Sequence, residues 1–248
     1  NNVRWIREYA FSDCSSLTSL SIGDNVSNIS LEAFKNCTRL TSVTIPNSVY
    51  SIGAEAFANC TSLKSVTIGN GVEVFSKNAF FNCNSLTSVN INADGIVNKT
   101  YKPDDNLFNI FGVQVTNYVI GDDVKGIGDN AFYYPYPASS FQCSNVKSVT
   151  IGNGVTSIGN RAFHHCESLS SITIGNSVTT IGYEAFYRCY SISSITLPNT
   201  VTTIGDNAFE DCYSLNSINI PESVTYIGDY AFSHCAISSI NISESVTN

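Results

Sequence analysis

The chain has 248 residues, 43% apolar and only 13% charged, about half the usual charged share, with a formal net charge of -8. Such a composition is ample for a continuous core and leaves Ser, Thr and Asn to cover the surface. The absence of any Lys or Arg block argues against nucleic acid or an anionic membrane as partner, and no apolar run is long enough to span a bilayer.

Taken in order, the chain is a 23-residue pattern repeated. Residues Ala33 to Glu55 read AFKNCTRLTSVTIPNSVYSIGAE, and the same frame recurs with substitutions. Its Phe stands at Phe11, Phe34, Phe57, Phe80, Phe132, Phe163, Phe186, Phe209 and Phe232, so the gaps are 23 except for 52 and 31 around Phe132. Asn2, Val3, Ile6 and Phe11 fit the unit from its Val-x-x-Ile step, and Glu244, Ser245 and Val246 end in the same phase. Stable arrays carry polar terminal caps; with neither end matching one, the expectation is a fragment of a longer protein.

The first four units run without insertion from Phe11 to Ile91. In each, an LxxVxI spacing such as Leu40, Val43 and Ile45 alternates inward and outward at the period of a short strand. Pro46, or Gly69 one unit on, turns the chain. Val49 and Ile52, followed by Gly53, form a second inward segment, and Ala56-Phe57 opens a return leg of helical or 3₁₀ turn that brings Phe57 and Cys60 to one side. A single coil cannot bury these groups, whereas stacked coils can. The predicted fold class is therefore a repeat solenoid over 1–248, one domain of about ten coils, with short parallel strands, second short strands and short helical or 3₁₀ return turns.

The motifs LxxVxI, the following Pro or Gly, VxxIG and AFxxC resemble the BspA-type leucine-rich repeat. That resemblance covers the chain except about 92–118 and 133–140. It implies a non-catalytic adhesion or protein-binding scaffold in a surface or secreted protein of the kind found in anaerobic bacteria and parasitic protozoa, hence an extracellular or cell-surface location.

Residues 92–143 are irregular. The stretch 92–120 reads as a degenerate coil in which Tyr118 and Val115 hold strand positions, Phe108 or Phe111 falls near the Phe slot, the Cys is missing, and NADGIVNKTYKPDD protrudes. YYPYPASS, at 133–140, then separates Phe132 from Cys143.

The nine cysteines each stand alone in a unit, which does not assemble a metal site. They read as buried free thiols. Disulfides between coils are the alternative, disfavoured because parallel Cβ vectors sit farther apart than a bridge prefers. His164, His165 and His234 beside Cys166 and Cys235 read as surface histidines. Gly126, Gly128 and Ala131 match GxGxxA only because IGxxAF repeats. The pairs Asp104-Asp105 and Asp122-Asp123 read as turn residues. No catalytic, metal or cofactor site is predicted, and no cofactor. Of the sequons at Asn25, Asn28, Asn36, Asn59, Asn98 and Asn241, Asn98 is the one expected on an accessible loop.

Two surfaces are candidates for a protein or glycan partner on a host or neighbouring cell. One is the outward face of the strands, a Ser/Thr lawn including Thr44, Thr67, Thr150, Thr173 and Thr196. It solvates a sheet, or it binds broadly and weakly. The other is aromatic: Tyr101, Tyr133, Tyr134 and Tyr136 in the irregular coils, with Phe108 and Phe111, either a binding patch or a plug over an exposed core edge. Besides adhesion, the readings left open are a structural spacer projecting another domain and, less favoured, binding to an ice or glycan surface.

Overall fold

The computed structural model describes residues 2–102, 106–133 and 145–247. Its contacts group into two compact units, 1–96 with 107–118, and 97–106 with 119–248. Each unit is a parallel-strand solenoid.

In the first unit the LxxVxI segments form the strands Ser42–Ile45, Ser65–Ile68 and Ser88–Ile91, paired parallel and in register, Val43 on Val66 on Val89. Their burial alternates as the residue pattern requires, with Val43 and Ile45 inside and Ser42 and Thr44 outside. The VxxI segments form two-residue strands, Trp5–Ile6, Asn28–Ile29, Ser51–Ile52 and Val74–Phe75, in a second parallel sheet. The glycine after Ile52 is a packing requirement, since a Cβ on Gly53 would lie 2.7 Å from the backbone nitrogen of Leu31.

The second unit repeats the scheme. Ser148–Ile151 pairs with Ser171–Thr173, and Ser194–Thr196 with Ser217–Asn219. The two-residue strands Gly126–Ile127, Ser157–Ile158, Thr180–Ile181, Thr203–Ile204 and Tyr226–Ile227 form the second sheet.

The return legs of the regular coils are successive i to i−3 turns, for example Cys37 N to Phe34 O and Leu40 N to Cys37 O, without a helix. Two residues per leg, two before and two after the Phe, take left-handed backbone angles: Glu32 and Asn36, Glu55 and Asn59, Glu184 and Arg188. The left-handed conformation is unfavourable for residues with a Cβ, least so for Asn and Asp. Here it turns alternate N–H groups along the stack. Glu32, Phe34 and Asn36 donate to the carbonyls of Ala54, Ala56 and Ala58 in the next coil. The return leg is thus a third inter-coil ladder, and those bonds offset the backbone cost.

Inside, the phenylalanines stack. In the first unit the centroids of Phe11, Phe34, Phe57 and Phe80 are 5.2, 5.1 and 5.2 Å apart with nearly parallel planes. In the second, Phe132, Phe163, Phe186, Phe209 and Phe232 follow at 4.9, 5.2, 5.1 and 5.4 Å. Phe111 takes the Phe slot of the degenerate coil, 5.5 Å from Phe80, on the short helix Leu107–Phe111. Three residues on, where other units have Cys, stands Gln114. The stretch expected to protrude is partly packed: it includes the helical turn Asp94–Val97, and Ile96, Val97 and Tyr101 are buried. Residues 98–100 are exposed. Asp104 and Asp105 lie outside the described residues.

Candidate binding surfaces

The strand face of the first unit carries two columns in register, Ser42, Ser65 and Ser88, and Thr44, Thr67 and Asn90. In the second unit Thr150 pairs with Thr173, and Thr196 with Asn219. Thr44, Thr150, Thr173 and Thr196 are exposed and Thr67 is half-buried, so these five side chains alternate with inward Val and Ile, all buried except the half-buried Ile172.

A second threonine column, missed in the sequence, behaves differently. Thr156, Thr179, Thr202, Thr225 and Thr247 each donate Oγ1 to the carbonyl of the residue one coil back, at 3.0 to 3.3 Å. Those hydroxyls are committed to the scaffold. None of the strand-face threonines enters this ladder.

The tyrosines of the irregular coils divide. Tyr101 is 7% exposed; its N–H donates to Asp129 O at 2.9 Å and its carbonyl accepts from Asn130 Nδ2 at 2.9 Å. Phe108 and Phe111 are buried as well. Tyr133 is half-buried with its ring stacked 4.7 Å from His164. Tyr134 and Tyr136 lie outside the described residues, as does Cys143.

The expectation of surface histidines holds for His234 and fails for its neighbours. His164 and His165 are 8% and 3% exposed. Inward Cys does not force its neighbours outward, because depth on the return leg varies from coil to coil: the position after Phe is buried at Ala58 and His164 but exposed at Phe81. His164 sits between Tyr133 and Tyr187, at 4.7 and 4.9 Å, and its Nε2 lies 3.2 Å from Glu184. Burial, with His165 alongside, pushes its pKa down to about 3.

Around this stack the second unit builds a polar aromatic surface. Arg161 bonds Glu184 at 2.7 Å with its guanidinium over the Tyr183 ring. Burial opposes ionisation of Glu184, but the bonds from Arg161 and Tyr183 hold its carboxyl below the usual range. Arg188 bonds Asp211 at 3.0 Å and lies over Tyr187. Asp211 also accepts from the Tyr213 hydroxyl at 3.1 Å and meets His234 Nδ1 at 3.0 Å. With Glu210 these form, among the described residues, the one group of three possible metal ligands within 4.8 Å, but the guanidinium of Arg188 already pairs with Asp211. Aligning the units by column shows Tyr133, His164 and Tyr187 all one residue after a Phe, the signal that would have found this stack.

The thiols form their own ladder. Cys60, Cys83, Cys189 and Cys212 donate Sγ–H to the Phe carbonyl of the preceding coil at 3.2 to 3.4 Å. All described cysteines are free, with Cys14 exposed and Cys235 half-buried. The side-chain amides of Asn36, Asn59 and Asn82 form a further ladder ending on Asp13, which engages the nitrogens of two sequons. Gly126, Gly128 and Ala131 span a two-residue strand and the turn after it.

A repeat built this way, with two parallel ladders, a turn-built return leg and a Phe-Cys interior column, is matched by the family described as BspA type leucine rich repeat region, in six copies over residues 1–108 and 136–248. The chain belongs to the BspA-type leucine-rich repeat family. Similar solved structures of leucine-rich repeats include a cell surface protein of Faecalibacterium prausnitzii, 28% identical over 94% of this chain and 68% of that one, TM-score 0.47. A leucine-rich repeat protein of Bacteroides ovatus is 26% identical over 96% and 76%, TM-score 0.46. The pneumococcal vaccine antigen PcpA is 19% identical over 90% and 62%, TM-score 0.45. No curated protein sequence matches this BspA-type chain. No helix among its described residues is long and apolar enough to cross a membrane.

Proposed function

We propose that this chain is a non-catalytic binding module of an extracellular or cell-surface protein, presenting its strand face to a protein or glycan on a host or neighbouring cell. One observation carries the reading. The hydroxyls of the second threonine column are bound to backbone carbonyls, while Thr44 in the first unit and Thr150, Thr173 and Thr196 in the second stand exposed on their strands, Thr150 in register with Thr173. A face of many equal, shallow hydrogen-bonding groups suits broad, multivalent contact. Membership of the BspA-type family points the same way.

The test is adhesion of beads carrying the purified chain to cultured cells and to matrix-coated and glycan-coated surfaces. Replacing Thr44, Thr67, Thr150, Thr173 and Thr196 together by Glu abolishes adhesion while melting stays unchanged. If the unaltered chain adheres no better than an unrelated protein, it is a spacer that projects another domain, and the reading is wrong.

A further inference from the structure

We infer that the return-leg surface of the second unit, between Tyr190 and His234, takes an extended Lys/Arg-rich polypeptide segment. This rests on the reading of the chain as a binding module and names the partner for a surface other than the strand face.

The sequence sets the charge. After Arg188 there is no Lys or Arg, yet Asp206, Glu210, Asp211, Glu222, Asp229 and Glu244 follow. Of the first five, only Asp211 is paired with an arginine, Arg188; among the described residues Asp206, Glu210 and Asp229 are paired with no Lys or Arg. The fold gathers Asp206, Glu210, Asp211 and Asp229. The leg 206–213 lies directly on the leg 229–234, with Asp229 N donating to Asp206 Oδ1 at 3.0 Å, Asn207 N to Asp229 O at 2.8 Å and Asp211 N to Ser233 O at 3.0 Å.

Aromatic rings lie among the carboxylates. Tyr213 stacks on Tyr190 at 5.3 Å. The stack ends there, because the corresponding residue of the next coil is Ala236, and Tyr213 is 56% exposed. Tyr230, next to Asp229, is 69% exposed.

The protein itself shows what such a surface accepts. Twice in this unit a guanidinium lies over a tyrosine ring while pairing with a carboxylate of the following coil, Arg161 with Tyr183 and Glu184, and Arg188 with Tyr187 and Asp211. The coils after Arg188 continue the tyrosines and the carboxylates and leave out the arginine. A segment bearing cations at intervals supplies them, each contact weak and exposed, the set additive and salt-sensitive.

The measurement is fluorescence anisotropy of a dye-labelled Lys/Arg-rich peptide, with a Glu-rich peptide of equal length beside it. The basic peptide binds, and its affinity falls as ionic strength rises. The pair Glu210→Gln and Asp229→Asn weakens it by about tenfold, as does the pair Tyr213→Ser and Tyr230→Ser. The charge-matched pair Glu8→Gln and Asp24→Asn, in the other unit, leaves it within about twofold. Melting curves confirm that each variant is folded.

Equal loss in the charge-matched pair means that net charge alone attracts the peptide, and overturns the assignment. So does equal binding of the Glu-rich peptide, or self-association of the chain abolished by the tyrosine pair, which would make the surface an interface between copies. Peptide binding lost with strand-face adhesion intact sinks only this inference; loss of both in the unaltered chain sinks the module itself.

Discussion

The side-chain amide of Gln114 donates to the carbonyl of Cys83 at 3.1 Å and to that of Phe111 at 2.9 Å. It stands three residues after Phe111, where regular units place a thiol that donates to the preceding coil. A longer donor thus replaces Cys where the coil is irregular and Phe111 rests on a short helix. Replacing Gln114 by Ala removes both bonds and lowers stability by about 1–2 kcal/mol, read by denaturant unfolding; an unchanged midpoint would refute the role.

Position within the phenylalanine column decides what a ring contributes. Phe57 is fully buried between Phe34 and Phe80, whereas Phe11 is 44% exposed. Phe57→Ala is expected to cost about 3–5 kcal/mol and Phe11→Ala a small fraction of that. Equal losses in equilibrium unfolding would contradict the stacking.

The thiol ladder predicts a reactivity pattern. Burial pushes Cys37 up to about 12 and Cys235 up to about 11, and thiolates are the reactive form. In a Cys143→Ser background, brief iodoacetamide treatment of the native protein should alkylate Cys14 rapidly, Cys235 slowly, and Cys37, Cys60, Cys83, Cys166, Cys189 and Cys212 only after unfolding. Rapid modification of Cys60 in native protein, seen by peptide mass mapping, would count against the ladder.

His164 makes stability depend on pH. Its folded pKa, about 3, lies below the ordinary histidine value of 6.5. Below pH 6.5 the unfolded chain therefore takes up a proton that the native state refuses, and stability falls as pH falls toward 3. The slope approaches about 1.4 kcal/mol per pH unit for one proton, and His165, also held down by burial, adds to it. Between pH 6.5 and 5 the carboxylates remain ionised, so the effect is isolated there. His164→Phe keeps the stack with Tyr133 and Tyr187 and should flatten the curve; identical slopes in both proteins would rule the mechanism out.

The apolar period was readable because each inward residue recurs at the same place in every unit: Val43, Val66 and Val89 were assigned inward from spacing alone and pair as expected. Thr44 and Thr67 followed from strand alternation. What escaped were columns whose residue type changes from coil to coil. The position after Phe holds Lys35, Ala58, Phe81, Tyr133, His164, Tyr187 and Glu210, so no consensus shows whether a ring there is buried, as at His164, or exposed, as at Phe81. Tyr101 escaped for another reason. A long irregular stretch gives no periodic hint of depth, and its burial depends on contacts with Asp129 and Asn130 in the following coil.

The left-handed residues of the return legs set a rule for lengthening the protein. From Tyr9 to His234, the left-handed residues other than glycine among the described residues are Asn, Asp, Glu, Arg, His and Tyr, and never Val, Ile or Thr, although those three types dominate the sheets a few residues away. A side chain branched at Cβ would collide with its own backbone there. Any duplicated or designed coil must therefore vary freely on its strands yet stay unbranched at these two corners, or it will not seat on its neighbour.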